Sequence, residues 1–307
     1  MRSKRCWRTV CLTLAGLLLA AMSGGEVAAE PIQVFVSIAP QRHFVERIGG
    51  EGVAVSVMVP PGASPVSYEP KPRQMTALSQ SVLYFAVGVP FETAWLPRFS
   101  DANPDLKIVH TQDGIKKVPM RAHHHHGEDA DHGHDDPADG RILDPHVWLS
   151  PPLVILQARN ILDALCSADP NRRSGYEANY REFVGKLVDL DLAIREIFSD
   201  VAHGSRFMVF HPSWGYFARA YGLDQIPAEI EGKDPKPAEL QGLIDHARTH
   251  KIRMIFVQPQ FSDKSARVIA SAIDGRVAVA DPLSPDWAEN LRRVAQSIRD
   301  AIQGSAG

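Results

Sequence analysis

Cysteine is nearly absent. The 307 residues include three, and two of them, Cys6 and Cys11, fall in the first 29. That leaves Cys166 alone, so an intramolecular disulfide is excluded beyond the first 29 residues, and one thiol cannot build a thiolate metal site. Positive charge is also short. Arg2, Lys4, Arg5 and Arg8 lie in the opening segment with a single acid, Glu26. Without that segment, 29 basic residues face 35 acidic ones, a net charge of −6. Such a chain is not expected to seek nucleic acid. No apolar run is long enough to span a bilayer, since Val10 to Ala21 falls short of the roughly 20 residues required. No H-E-x-x-H motif occurs and no general base is evident, which argues against a hydrolytic zinc enzyme.

The opening segment has its own pattern. Four basic residues precede the apolar stretch, and Val27-Ala28-Ala29 offers small residues at a cleavage point. Residues 1–29 therefore read as a secretory signal peptide, cleaved near Ala29, which places the mature chain in the periplasm. The rest is 44% hydrophobic and 22% charged over the full length, the composition of a soluble globular protein.

Strand and helix signals alternate. Ile32 to Ile38, Val53 to Val59, Val82 to Val87 and Lys107 to His110 read as strands, with helices from Pro40 to Ile48 and Pro70 to Leu78. Residues 119–141 break this rhythm with six imidazoles and several carboxylates, a solvated loop. A helix follows from Leu153 to Leu165. Then Tyr176, Tyr180, Phe183, Leu187, Leu190, Ile194 and Ile197 recur at three- and four-residue steps. This predicts one helix within 171–202, about 40 Å long. It outruns a small domain and reads as a rigid strut between two lobes. Beyond it, Phe207 to Phe210, Pro227 to Ile230, Ile252 to Val257 and Val277 to Ala280 read as strands. The helices read as Pro237 to His250, Ser262 to Ile273 and Trp287 to Ile302. The expected architecture is α/β, with two parallel-sheet lobes, 30–170 and 203–307, joined by the long helix.

Three residues stand where such lobes place ligands. His211 and Asp281 are each the first polar residue after a buried strand, and each precedes a proline. Such positions face the crevice at the carboxyl edge of a parallel sheet. His146 sits at a turn in Asp144-Pro145-His146-Val147-Trp148, beside a Trp that can anchor it. Two imidazoles and a carboxylate make a plausible first-row metal site in the cleft between the lobes. A single histidine after a strand is more often a structural residue, so the weight rests on the three together. His246 and His250, four apart, read as a surface pair without a third ligand. Gln258 ends a strand and reads as a packing or hydrogen-bonding residue.

The stretches SIAPQRHFVERIGG (37–50), PPGASPVSYEPKPRQM (60–75), DPHVWLSP (144–151), FMVFHPSWGYFARAYGL (207–223) and VADPLS (279–284) carry a resemblance. In this order they resemble the ZnuA/TroA-like solute-binding proteins of zinc and manganese ABC importers. The resemblance covers essentially the whole chain after residue 29. It implies two α/β lobes with metal held between them, and it implies that His146, His211 and Asp281 are ligands. It implies an ABC permease and its ATPase as partners, and a monomer. One position departs from the family pattern: Val66 stands where a histidine is usual. The set then falls to two nitrogens and one carboxylate, unless His43, a group such as Tyr68 or Glu69, or a water completes it. The His/Asp-rich insertion is typical of zinc-importing members. Its His123, His124, His125, His126, His132 and His134 read as a weak metal collector or sensor, with an inert insertion as the alternative. Clustered imidazoles favour Zn²⁺. A Mn or Fe receptor, or a metal-dependent adhesion or storage protein, is the alternative reading.

Overall fold

A computed structural model describes residues 30–120, 143–229 and 233–304. The signal segment, most of the His/Asp-rich insertion and Ile230 lie outside the described residues.

Two sheets of four strands are present, both wholly parallel. The first contains β1 (Ile32–Val36), β2 (Val53–Val57), β3 (Leu83–Ala86) and β4 (Lys107–His110), in the order β2-β1-β3-β4. The second contains β5 (Ser205–Val209), β6 (Leu223–Pro227), β7 (Met254–Val257) and β8 (Arg276–Val279), in the order β6-β5-β7-β8. Parallel strands need crossovers, and helices supply them. Those helices are α1 (Ala39–Gly49), α2 (Pro72–Leu78) and α3 (Pro90–Ala102) in the first lobe. In the second they are α6 (Gly215–Ala220), α7 (Pro237–Thr249) and α8 (Lys264–Ala272). The expected two-lobe α/β architecture is the one observed.

The helices start by a repeated device. Pro40, Pro72 and Pro237 occupy the first or second helical position, where the missing N–H costs nothing. Gln41, Gln74 and Glu239 then reach back as acceptors for the N–H groups of Ile38, Lys71 and Lys236.

The long helix is α5 (Arg173–Ile197), 25 residues and so about 37 Å. It runs from a proline-led turn at Pro170–Arg172. Its buried stripe is Tyr176, Phe183, Leu187, Leu190 and Ile194. It packs on α4 (Pro151–Ala168), on α1, and on α9 (Trp287–Gly304). One apolar core continues from the first sheet through α5 into the second lobe. Phe44 of α1 meets Trp287 of α9 edge to face, with ring centroids 4.9 Å apart. A separate cluster, including Met208, Ile255 and Ile269, fills another part of the second lobe.

In each sheet the chain leaves the central strand toward one neighbour and crosses back to the other. The reversal falls between β1 and β3, and between β5 and β7. Open α/β sheets bind their ligands at such switch points. In the first lobe the loop there is clamped by Glu92, in the first turn of α3. Its carboxylate accepts from Val87 N at 2.9 Å, Gly88 N at 2.7 Å and Ser37 Oγ at 2.6 Å. Gly88 has φ +83°, which a side chain would strain. The clamp fixes the path into Val89 and Pro90, which border the cavity between the lobes.

Candidate metal centre

His146 precedes a single helical turn, Val147–Leu149. It is 7% exposed. Its Nδ1 lies 2.7 Å from Asp144 Oδ1, and its backbone N–H donates to the same oxygen at 2.9 Å. An ionised carboxylate can only accept. Asp144 therefore holds the proton on Nδ1 and leaves Nε2 with its lone pair. Burial pushes the His146 pKa below the ordinary imidazole value; Asp144 opposes this and His211 adds to it. The imidazole is thereby kept neutral, the form that binds metal.

Asp144 is held in turn. Its backbone N–H donates to Val118 O at 2.8 Å, and its carbonyl accepts from Tyr216 Oη at 3.2 Å. Gly215 comes so close that a Cβ there would stand 2.9 Å from Asp144 Oδ2. The Trp beside His146 does anchor the turn. Trp148 Nε1 donates to Pro282 O, and Trp287 Nε1 donates to Trp148 O, both at 2.8 Å. The turn carrying His146 is thus pinned to the segment after β8.

His211 follows β5 at the switch point of the second sheet. Its Nδ1 lies 2.7 Å from Oε1 of Glu229, which follows β6 and is 5% exposed. The tautomer argument repeats, and Nε2 is again the unprotonated nitrogen. Phe261 stacks on the His211 ring at 5.0 Å. The rings of His146 and His211 are 5.4 Å apart and inclined at 73°. They border one cavity of about 50 Å³, otherwise walled largely by Pro, Val, Phe and Leu side chains. That is room for an ion and a water or so, far below the roughly 300 Å³ of an organic-ligand pocket.

The other expected residues lie as follows. Val66 borders the cavity and is 50% exposed. Asp281 Oδ1 accepts from Gln260 Nε2 and Leu283 N, each at 2.9 Å. Among the described residues no group of three or more His, Cys, Asp or Glu side chains is gathered to hold a metal. The two imidazoles are brought together and Asp281 is not brought into their group. His43 lies apart from the cavity wall, its ring 6.0 Å from Phe183 and 6.1 Å from Trp287. The hydroxyl of Tyr68 donates to Gln74. Gln258 donates to Ser213 Oγ at 2.5 Å. The rings of His246 and His250 lie 4.3 Å apart and tilted at 56°, and Arg206 lies against His250. The insertion histidines 123–126, 132 and 134 lie outside the described residues. Sequence reasoning missed Asp144, Glu229 and Gln260. Asp144, two residues before a histidine, was visible as a local partner; Glu229 was not, because the strand before it was misplaced.

A family model described as "Zinc-uptake complex component A periplasmic", ZnuA, matches residues 34–301. This chain belongs to the ZnuA family. Its members are periplasmic metal-binding receptors of ABC importers, which makes this chain a transport receptor and not an enzyme. The high-affinity zinc uptake system protein ZnuA of Bacillus subtilis (strain 168) is 28% identical over 288 residues, 90% of this chain and 88% of that one. The manganese ABC transporter substrate-binding lipoprotein PsaA of Streptococcus pneumoniae serotype 4 (strain ATCC BAA-334 / TIGR4) is 25% identical over 284 residues, 87% of this chain and 86% of that one. A crystal structure of ZnuA superposes with a TM-score of 0.80 at 41% identity, covering 88% of this chain and 99% of that one. No helix among the described residues is long and apolar enough to cross a membrane.

Proposed function

We propose that this receptor captures Zn²⁺, in preference to Mn²⁺, between its lobes in the periplasm and passes it to an ABC permease and its ATPase. One observation carries the reading. Two imidazoles from different parts of the chain face one small cavity, each with a buried carboxylate on Nδ1 and a lone pair on Nε2. Carboxylate-backed imidazole is the usual dress of a metal-binding histidine. Imidazole donors suit zinc better than manganese, which prefers carboxylate, carbonyl and water. Asp281 accepts a hydrogen bond from Gln260, which borders the cavity. Relatives of both metal classes exist, so the preference rests on the donor set of this chain.

The test is metal binding by the purified mature chain, read by competition with a chromogenic chelator. His146→Ala and His211→Ala are each expected to abolish tight Zn²⁺ binding. Glu229→Gln, which frees the tautomer, is expected to weaken it by about 10–100-fold. Wild-type affinity for Mn²⁺ with none measurable for Zn²⁺ would refute the zinc assignment. Unchanged Zn²⁺ binding in His211→Ala would refute the site.

A further inference from the structure

We propose that Gln260 is the third donor of this cavity. Its amide oxygen is polarised by Asp281, and it helps set which divalent ion is preferred. The inference rests on the metal-receptor reading above.

Gln260 borders the same cavity as His146 and His211. Its Nε2 donates to Asp281 Oδ1 at 2.9 Å. Its Oε1 is buried and has no hydrogen-bond partner. Nitrogen and oxygen of an amide are easily exchanged in structures. Here the partner fixes them, because an ionised carboxylate accepts only and must face the NH₂ group. The oxygen is then committed to the other side. Gln258 offers a contrast. It also borders the cavity and has an unpartnered Oε1, but its amide meets the hydroxyl of Ser213, which accepts or donates. Its orientation is not fixed by its partner.

A buried carbonyl without a donor is costly and calls for an explanation. A cation in the cavity provides one. The arrangement also repeats. Asp144 stands behind His146, Glu229 behind His211, and Asp281 behind Gln260. Each time a nitrogen of a side chain bordering the cavity meets a carboxylate. That carboxylate raises the basicity of the donor atom without touching the ion. Among the described residues Asp281 joins no group of three or more His, Cys, Asp or Glu side chains. Two imidazole nitrogens and one amide oxygen leave a fourth position for water. An amide oxygen is harder than an imidazole, so it narrows the margin of zinc over manganese.

The experiment measures Zn²⁺ and Mn²⁺ affinities of the mature chain and the Co²⁺ absorption spectrum, for wild type, Gln260→Leu, Asp281→Asn and the double variant. Gln260→Leu should weaken Zn²⁺ binding at least about tenfold, weaken Mn²⁺ more, and alter the Co²⁺ bands. Asp281→Asn should cost less, and adding it to Gln260→Leu should cost almost nothing more, because the two act as one unit. If Gln260→Leu binds Zn²⁺ within about threefold of wild type, the proposal fails. It fails too if the two losses multiply, since Asp281 then binds the ion directly. Should Gln260→Leu not fold, the ¹³C signal of the Gln260 side-chain carbonyl decides in wild-type protein. It must move on adding one equivalent of Zn²⁺, and an unmoved signal overturns the assignment. His211→Ala separates the two readings: if it binds Zn²⁺ as wild type does, the metal site itself is wrong; if it does not, any failure above belongs to Gln260 alone.

Discussion

Histidine is used in opposite ways in two places. His146 and His211 have carboxylates on Nδ1 and border a cavity; His43 has neither. It packs among Phe44, Phe183 and Trp287. Burial lowers its pKa below 6.5, with the Arg47 charge in the same direction; Glu46 and Asp286 oppose this and are outweighed. The sign follows from linkage. On acidification the unfolded chain protonates at its ordinary pKa, while the folded chain resists. The contribution of neutral His43 is complete above that pKa and is lost as pH falls from it toward the lower folded value. Denaturant midpoints of the metal-free protein should therefore decline below about pH 6.5, and His43→Gln should flatten part of the slope. An unchanged slope in His43→Gln would show that the ring is solvated. Its metal affinity should match wild type.

Most elements were legible because the apolar pattern and the punctuation agreed. Lys107–His110 was read to the residue, and α5 was announced by its stripe and runs Arg173–Ile197, inside the expected 171–202. Helix α3 was not foreseen. Pro97 lies inside it, and a proline in a helical stretch reads as a break. Strand β6 was expected at Pro227 to Ile230 and runs Leu223–Pro227, because Asp224 and Gln225 hide its pattern. At the site, His211 was legible from its place after a strand. Of the carboxylates that orient the imidazoles, Asp144 stands two residues from His146 and was in view, but Glu229 was not, being 18 residues from its partner. The turn at 144–150 shows how an element can be held by bonds the sequence does not display. Replacing Trp148 by Phe removes the donor to Pro282 O and leaves that carbonyl buried and unpaired. Trp148→Phe should cost about 1–3 kcal/mol from the lost bond alone, read from urea unfolding of the metal-free protein. It should also weaken Zn²⁺ binding by loosening His146. A variant as stable as wild type would mean that water replaces the indole.

Among the described residues the two sheets share one continuous apolar core, and a second cluster is confined to the second lobe. Helix α5 runs along both lobes, and Phe44 of the first lobe packs directly on Trp287 of the second. A hinge that opened widely would pull these rings apart and expose apolar surface at about 25 cal/mol per Å². Trp148 and Trp287 add two buried hydrogen bonds across the same seam. Receptors whose lobes are joined only by flexible strands pay no such penalty. Metal capture here should therefore proceed through small shifts of loops and side chains at the cavity, among them the segments bearing Gln260 and Asp281. Small-angle X-ray scattering of the mature chain should give nearly superimposable profiles with and without Zn²⁺. Thermal unfolding should show one cooperative transition for both lobes, raised in temperature by the ion according to its affinity. A clear compaction on binding, or two resolved transitions, would show that the shared core does not couple the lobes.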